Sequence, residues 1–281
     1  MQTAIVILAA GKGTRMKSER PKVLHEVAGA PLLVHCMKTA QTIDPEHLII
    51  VAGHGSEDVT KTARTYAPDS QIVTQSAQLG TAHAVAQSRG ILSGFEGDLI
   101  ILYGDTPFIR SETLGKLAQA RQKTDLVVLG FHANDPGRYG RLVTSGTDLL
   151  EIVEYKEANA AQKDIKLCNS GVLAGPAQLI FQLIEQVETS NNAGELYLTD
   201  CIALARAAGK SAGVVTCPEA ETLGVNSRRD LAQAEQVFQN NARAALMDTG
   251  VSLLAPETVF LSFDTVIGRD ALIEQNVVFG A

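Results

Sequence analysis

Short apolar runs alternate with helix-length segments along the first two hundred residues, and this alternation constrains the fold more than any other feature. The apolar runs are 4–8, 48–52, 72–74, 99–102 and 126–131, and the segments between them are 31–42, 57–66, 81–92 and 111–123. Continuous apolar runs of this length are typical of strands buried on both faces. The sequence therefore predicts an α/β fold with a doubly wound, Rossmann-like, mostly parallel sheet and right-handed crossovers.

The second half of the chain suggests further units after this sheet. From about residue 132 the pattern loosens into shorter strands with Gly-rich turns, and 176–188 and 198–208 again have helical spacing. Residues 227–247 contain no Gly or Pro and place apolar side chains at three- and four-residue intervals, which predicts a long amphipathic helix. We expect a first domain over 1–226, a linker helix over 227–250 and a separate unit over 251–281.

The last thirty residues carry a six-residue period. Two sets of residues repeat in this way: Val259, Thr265, Ala271 and Val277, and then Leu261, Ile267, Ile273 and Phe279. This period is typical of a left-handed parallel β-helix, in which one coil takes about three hexads. The segment would form the start of such a β-helix, although two ordinary edge strands have the same spacing.

Charge and composition exclude several classes of function. Lys and Arg number 24 against 31 Asp and Glu, a net charge of −7, so the chain has no broad positive field for nucleic acid or for an anionic membrane. Its four cysteines are scattered without a C-x-x-C pair, as expected of buried thiols in a reducing compartment. No apolar stretch reaches the roughly 18 residues of a membrane span. We expect a cytoplasmic protein.

A glycine-rich loop follows the first predicted strand. It reads Leu8-Ala9-Ala10-Gly11-Lys12-Gly13-Thr14-Arg15-Met16, and Pro21-Lys22 comes shortly after it. Such a loop lets backbone N–H groups approach phosphates closely. It lacks the Lys-Ser or Lys-Thr of a P-loop and the third Gly of the dinucleotide fingerprint. Two cations, Arg15 and Lys22, lie within reach of a triphosphate; the alternative is a simple turn with solvated charges.

Asp105 comes directly after the apolar run 99–102, so it should lie at the carboxyl end of a central strand. A carboxylate in that position suits Mg²⁺, which binds a carboxylate or two together with substrate phosphates. The alternative is a turn-forming Asp before Pro107.

Several motifs in order along the chain resemble the nucleotidyltransferase family that makes nucleoside diphosphate sugars. Besides the glycine-rich loop with Pro21-Lys22, they are Gln75 with Gln78-Leu79-Gly80-Thr81, Tyr103-Gly104-Asp105, Tyr139-Gly140-Arg141, Glu154-Tyr155-Lys156, Asn169-Ser170-Gly171, Gly194-Glu195 and Gly224-Val225-Asn226. Within this family, Pro21-Lys22-Val23-Leu24-His25 with Ala28-Gly29 resembles the bacterial uridylyltransferases that act on N-acetylglucosamine 1-phosphate.

The resemblance implies a set of site residues. They are Arg15 and Lys22 as catalytic cations; Leu8, Ala9, Ala10, Gly11, Gly13, Gln75, Gly80 and Thr81 for the nucleotide; Tyr103, Gly104, Gly140, Glu154, Asn169 and Asn226 for the sugar; and Asp105 with Asn226 as ligands of Mg²⁺. The side chain of Gln75 offers a donor and an acceptor, which suits the imide edge of uracil. For Asn226, capping of the following helix is an alternative role.

The resemblance also implies an activity. It is the synthesis of UDP-N-acetylglucosamine and pyrophosphate from UTP and N-acetylglucosamine 1-phosphate with Mg²⁺, for peptidoglycan and lipopolysaccharide precursors. Relatives with a long β-helix form homotrimers and carry an acetyltransferase on it. With about one coil in this chain, we expect no acetyl transfer, and the oligomeric state stays open. Two other functions are a related transferase of different base or sugar specificity and a non-catalytic nucleotide-sugar-binding subunit.

Overall fold

The computed structural model describes residues 2–189 and 194–280. Its strands are β1 Thr3–Ala9, β2 Glu26–Val27, β3 Ala30–Pro31, β4 His47–Ala52, β5 Gln71–Thr74, β6 Asp98–Tyr103, β7 Leu126–His132, β8 Arg141–Ser145, β9 Asp148–Val153, β10 Leu167–Pro176, β11 Ala212–Cys217, β12 Ser252–Leu253 and β13 Leu272–Ile273. Its α-helices are α1 Leu32–Gln41, α2 Ser56–Tyr66, α3 Thr81–Ala86, α4 Ser111–Arg121, α5 Ala160–Lys163, α6 Ala177–Ile184, α7 Asp200–Ala207 and α8 Arg228–Asp248. The five predicted strands are all present.

The main sheet has nine strands in the order β5-β4-β1-β6-β10-β7-β11-β9-β8. Strands β5, β4, β1 and β6 are parallel, as the sequence predicts. In the other half β7 and β11 are parallel and the remaining pairs are antiparallel, so the expectation of a mostly parallel sheet is met only in part. There β10 runs antiparallel to both β6 and β7, and β9 and β8 add antiparallel pairs at the edge. The apolar content of a strand predicts that it is buried. It does not predict whether the strand runs parallel or antiparallel to its neighbours.

Helices cover both faces of this sheet, so the doubly wound α/β arrangement is confirmed. One apolar core lies between the sheet and helices α3, α6 and α7, and a second lies between the sheet and helices α1, α2 and α4. Because strand side chains alternate between faces, Ile5 and Ile7 enter the second core while Val6 and Leu8 enter the first. The strands are therefore fixed in register by burial on both sides.

The segment predicted to be a long amphipathic helix forms α8, which is capped at its amino end. Ser227 accepts a hydrogen bond from the backbone N–H of Asp230, and the Asp230 carboxylate accepts one from the N–H of Ser227. Such a reciprocal cap satisfies two of the N–H groups that a helix leaves unpaired. Further along the helix, Gln239 is buried and its amide pairs with both backbone groups of Leu261.

The final segment forms short parallel pairings. Strand β12 pairs with β13 in parallel, and Phe260 pairs with Val278 in parallel. Four apolar side chains form a small core under α8, namely Val251, Leu253, Val259 and Leu261.

Other predicted features differ in extent. The helix expected over 81–92 ends at Ala86 and continues as turns. The four cysteines are free and buried, as expected from their scatter. Among the described helices, none has the length and apolar character needed to cross a membrane.

Arg141, at the start of β8, is a buried cation that organises the turn before it. Only 2% of the residue is exposed. Its guanidinium donates to the backbone oxygens of Pro136, Gly137, Tyr139 and Lys163. Since buried carbonyl groups need donors, this one side chain holds the 136–140 turn against helix α5.

Replacing this guanidinium should destabilise the fold. We expect Arg141→Met to lower the free energy of unfolding by roughly 3 kcal/mol, because four backbone carbonyl oxygens, one of them in the buried Pro136, lose their donor together. Urea denaturation of the variant and the parent chain measures this difference.

Arg138 provides the matched control, because it lies in the same turn with an exposed side chain. Arg138→Met should change the free energy of unfolding by less than about 0.5 kcal/mol. Equal losses in the two variants would contradict the organising role of Arg141.

Candidate functional site

A cavity of about 320 Å³ opens where β1 and β6 end side by side. Strand β1 lies between β4 and β6. After β1 the chain adds β4 and β5 on one side of it and then crosses to add β6 on the other side, so the strand order reverses at β1. Open α/β sheets bind ligands at such switch points. The cavity is lined by Leu8, Ala10, Gly11, Lys22, Val23, Gln75, Gln78, Gly80, Thr81, Ala84, Tyr103, Asp105 and Glu195. Residues predicted for the nucleotide, the sugar and the metal therefore meet in one place.

The glycine-rich loop reaches this cavity with only part of its length. Leu8, Ala10 and Gly11 line it, whereas Ala9 points to the opposite face of β1 and packs in the second core. Gly13 has a φ of +60°, and a Cβ there would lie 2.6 Å from Cβ of Lys22. This glycine therefore lets the loop pass closely against Lys22. Arg15 lies on an exposed 3₁₀ turn and does not line the cavity.

Lys22 is the cation at the centre of the site. Its Nζ donates to Oδ2 of Asp105 and, at 3.0 Å, to Oδ1 of Asn226. The side chains of Lys22 and Asp105 are only 13% and 18% exposed. Breaking a pair with so little exposure leaves a poorly solvated charge, so the three side chains hold one another in place.

Backbone hydrogen bonds hold both residues whose side-chain oxygens accept from Lys22. The carbonyl oxygen of Asp105 accepts a bond from the N–H of Val225 at 2.9 Å, which ties the end of β6 to the segment before α8. The N–H of Asn226 donates to the Asp230 carboxylate at 2.9 Å, within the cap of α8. The N-cap itself is Ser227, so the alternative of Asn226 as the capping residue is wrong.

On the other side of the cavity lie three residues predicted for the base, Gln75, Gly80 and Thr81. Gln75 is 5% exposed, and its amide Nε2 lies 3.1 Å from the carbonyl oxygen of Gly80. Gly80 has a φ of +113°, and a Cβ there would lie 2.5 Å from the backbone oxygen of Leu196. Only glycine fits this close approach. Thr81 Oγ1 accepts a hydrogen bond from the N–H of Leu198 at 2.9 Å.

The residues predicted for the sugar divide into two groups. Tyr103 lines the main cavity and also a small neighbouring one that contains Asn169. A Cβ on Gly140 would lie 3.5 Å from Oε1 of Glu154 and 3.6 Å from Cβ of Asn169, so these three residues lie together. Glu154 faces a separate depression of about 290 Å³. Tyr103 is the link between the groups.

Three predicted sugar-side residues have mainly backbone roles. Gly104 donates its N–H to the carbonyl oxygen of Leu8 at 3.0 Å and does not line the cavity. Asn169 uses its Oδ1 to accept a bond from the N–H of Gly171 at 2.9 Å, and its own N–H donates to the oxygen of Gly140.

Apart from the apolar Val23 and Ala84, two lining residues were absent from the predicted set, Gln78 and Glu195. Gln78 donates from Nε2 to the carbonyl oxygen of Ala10 at 2.8 Å, which joins the base side to the glycine-rich loop. Both residues lie inside motifs that carry the family resemblance. The motifs in the sequence therefore include both residues, but they do not show that the two side chains reach the cavity.

Burial shifts the ionisation of the sugar-side groups. Burial, with Glu157 and Asp200 nearby, raises the pKa of Glu154. Burial, with Asp105 and Glu154 nearby, raises the pKa of Tyr103, so its hydroxyl stays protonated. Groups with shifted pKa values are often found at functional sites.

The fold and this site define a nucleotidyltransferase-type α/β domain. Residues 5–170 match the family described as the MobA-like NTP transferase domain. The chain belongs to this family.

Relatives with known names extend the match over nearly the whole chain. The "Bifunctional protein GlmU" of Ruegeria sp. (strain TM1040) is 57% identical over 270 residues, which is 96% of this chain and 60% of that protein. The protein of the same name from Roseobacter denitrificans is 54% identical over 280 residues, 100% of this chain and 62% of that protein. The chain thus spans about six tenths of the length of these relatives.

Solved structures share the fold at low sequence identity. The inositol-1-phosphate CTP transferase from T. maritima superimposes with a TM-score of 0.68 at 17% identity, covering 85% of this chain and 95% of that one. A UDP-glucose pyrophosphorylase complexed with UDP-glucose superimposes with a TM-score of 0.64 at 18% identity, covering 86% of this chain and 100% of that one.

The raised pKa of Glu154 implies that its ionisation opposes folding. A carboxyl group whose pKa is higher in the folded state destabilises the fold once the pH exceeds its ordinary pKa. We expect Glu154→Gln to be more stable than the parent at pH 7, and this advantage should disappear as the pH falls below about 4.3. Thermal unfolding from pH 3.5 to pH 8 measures it.

Glu274→Gln is the control, because Glu274 is exposed in the final segment. It should not change the unfolding temperature by more than about a degree at any pH. A Glu154→Gln variant that is less stable than the parent at pH 7 would show that the carboxylate is satisfied in the fold.

Proposed function

We propose that this chain is a uridylyltransferase that joins UTP and N-acetylglucosamine 1-phosphate to give UDP-N-acetylglucosamine and pyrophosphate. The observation that carries the proposal is the meeting of Lys22, Asp105 and Asn226 at the switch-point cavity. Family membership, and similarity to proteins named as bifunctional GlmU, support the reaction type. The run Pro21 to His25 and the Gln75 region support the choice of sugar and base.

In the proposed reaction the sugar 1-phosphate attacks the α-phosphorus of UTP. The attacking oxygen is already anionic, so no general base is needed, and catalysis consists of positioning and charge neutralisation. Lys22, whose ammonium group lies in the same cavity, donates to the phosphates. Arg15, exposed on the 3₁₀ turn of the glycine-rich loop, offsets the charge of the outer phosphates.

The arrangement also fits a divalent cation. Asp105 Oδ2 and Asn226 Oδ1 both contact one ammonium group, so the two oxygens already converge on a single cation. Hard oxygen donors of this kind suit Mg²⁺, with substrate phosphates and water as its other ligands. Among the described residues no cluster of three or more His, Cys, Asp or Glu side chains offers an alternative metal site. When bound, Mg²⁺ neutralises phosphate charge and orients phosphate oxygens.

The rest of the molecule has proposed roles too. We assign 1–226 to the transferase domain, 227–250 to a linker helix and 251–281 to the start of a left-handed β-helix. Supporting this, Phe260 pairs in parallel with Val278, a separation of three hexads, as successive coils would. The product would serve peptidoglycan and lipopolysaccharide precursors in the cytoplasm, and a β-helix would allow a homotrimer.

Pyrophosphate release from UTP and N-acetylglucosamine 1-phosphate tests this function. With Mg²⁺ we expect release that prefers both substrates over CTP, dTTP and glucose 1-phosphate, and that EDTA abolishes. Preference for another pair would keep the transferase chemistry and overturn the specificity. No release with any pair, together with nucleotide binding by calorimetry, would support a non-catalytic binding subunit.

The cluster of Lys22, Asp105 and Asn226 should have a large effect on kcat. Lys22→Ala and Asp105→Ala should each lower kcat by about 10²–10³, the usual cost of one preorganised charge contact. Steady-state kinetics at saturating substrate measures this loss. Lys38→Ala, an exposed change on α1, is the control and should leave kcat unchanged. Turnover near that of the parent in either cluster variant would contradict the assigned roles.

A further inference from the structure

His83 lies just behind the base side of the cavity. It is on α3, two residues after Thr81, and does not itself line the cavity. Its ring nitrogen Nδ1 is 3.0 Å from the amide Nε2 of Gln75. The same Nε2 lies 3.1 Å from the carbonyl oxygen of Gly80. The amide nitrogen of Gln75 therefore has two partners within the protein, Gly80 and His83.

These contacts determine which way the Gln75 amide faces. A carbonyl oxygen only accepts hydrogen bonds, so the atom opposite the oxygen of Gly80 must be the NH₂ nitrogen. That nitrogen has two hydrogens, one for Gly80 and one for Nδ1 of His83. An amide nitrogen lies near each ring nitrogen, and a neutral ring accepts at only one of them. The contact from Gln75 is the shorter, 3.0 Å against 3.2 Å from Gln87, so we assign the unprotonated nitrogen to Nδ1 and the ring hydrogen to Nε2.

The oxygen of the Gln75 amide is left for the cavity. No hydrogen bond among the described residues uses Oε1 of Gln75, and the residue lines the cavity. Gln75 therefore presents an acceptor to a bound base, although its amide has both kinds of group. This differs from the expectation that donor and acceptor both meet uracil.

We propose that His83 is a positioning residue for base selection, which rests on the proposed function. By holding the NH₂ group of Gln75, it forces Oε1 toward the base. Uracil carries a donor at N3, between two carbonyl groups, and pairs with this oxygen. Cytosine carries an unprotonated N3, so two acceptors would face each other without a hydrogen. A site that hydrogen-bonds an N–H group of its substrate discriminates strongly against an analogue that lacks this group.

The far side of the imidazole ring is also held in place. Gln87 donates from Nε2 to the backbone oxygen of His83 at 2.9 Å and lies 3.2 Å from its ring Nε2. The ring is thus enclosed between two glutamine side chains. Gln87 contacts the backbone and ring Nε2 of His83, and of the two glutamines only Gln75 lines the cavity.

Variants of His83 separate this role from a general structural one. In His83→Leu the acceptor is lost and the Gln75 amide is free to rotate. We expect the kcat/KM ratio of UTP to CTP to fall at least tenfold. The ratio of UTP to dTTP should not move, because thymine has the same N3–H group. His83→Asn should restore the first ratio to within threefold of the parent, since its Oδ1 takes the place of Nδ1.

The control is His132→Leu, an exposed change at the end of β7, which should leave both ratios unchanged. A parent chain with no turnover on any substrate pair would mean that the proposed function has failed. If the parent prefers UTP and His83→Leu keeps its UTP to CTP ratio, this inference is overturned. Equal ratios in His83→Leu and His83→Asn would overturn it as well.

A measurement without turnover covers the case in which His83→Leu does not fold. Long-range ¹H–¹⁵N correlation spectra of the histidine-labelled parent report the protonated ring nitrogen, with His83 assigned from the spectrum of His83→Asn. We expect the ring hydrogen of His83 on Nε2, with Nδ1 accepting the hydrogen bond from Gln75. A hydrogen on Nδ1 would overturn the proposed orientation of Gln75.

Discussion

The ionic cluster of Lys22, Asp105 and Asn226 is the interaction on which the site depends. It joins three parts of the chain that are far apart in sequence: the segment after the glycine-rich loop, the end of β6 and the segment before α8. The Lys22 ammonium bonds to both other side chains, and backbone bonds hold Asp105 and Asn226. Because the cluster is mostly shielded from water, its members strongly constrain one another. The glycine-rich loop and the cap of α8 are therefore parts of one site.

The strand order explains why the cluster forms at this place. Since β1 lies between β4 and β6, the carboxyl ends of β1 and β6 are adjacent with no helix between them. The loop after β1 and Asp105 after β6 then face the same space. The antiparallel β10 extends the sheet from β6 and brings Asn169 beside Tyr103. The residues predicted for the base, the phosphates and the sugar are thus arranged around one strand end.

Much of this could be predicted from the sequence. The strands and the doubly wound arrangement follow from apolar runs, because burial on both faces leaves a continuous apolar pattern. Most nucleotide-side residues follow from the motifs, and eight of the cavity-lining residues belong to the predicted site: Leu8, Ala10, Gly11, Lys22, Gln75, Gly80, Thr81 and Tyr103, with Asp105 as the predicted metal ligand beside them.

Other features required the three-dimensional structure. The direction of β10 depends on long-range pairing, which composition does not record. Ala9 could have been excluded from the lining set, because alternate side chains of β1 face opposite cores. Arg15 and Lys22 are alike in the sequence, yet only Lys22 is enclosed, since its partners come from residues 105 and 226. The fixed orientation of Gln75 arises from His83, whose part could not be read from its spacing.

Helix α8 has a mechanical consequence for the site at its amino end. Its 21 residues span about 31 Å, with Asn226 just before its first turn and the small core of the final segment near its far end. If the helix pivots at its capped end, a displacement of several ångströms at the far end reaches Asn226 as only a fraction of an ångström. The helix then acts as a lever with its pivot near Asn226. Movements of the final segment would therefore leave the side chain of Asn226 almost in place.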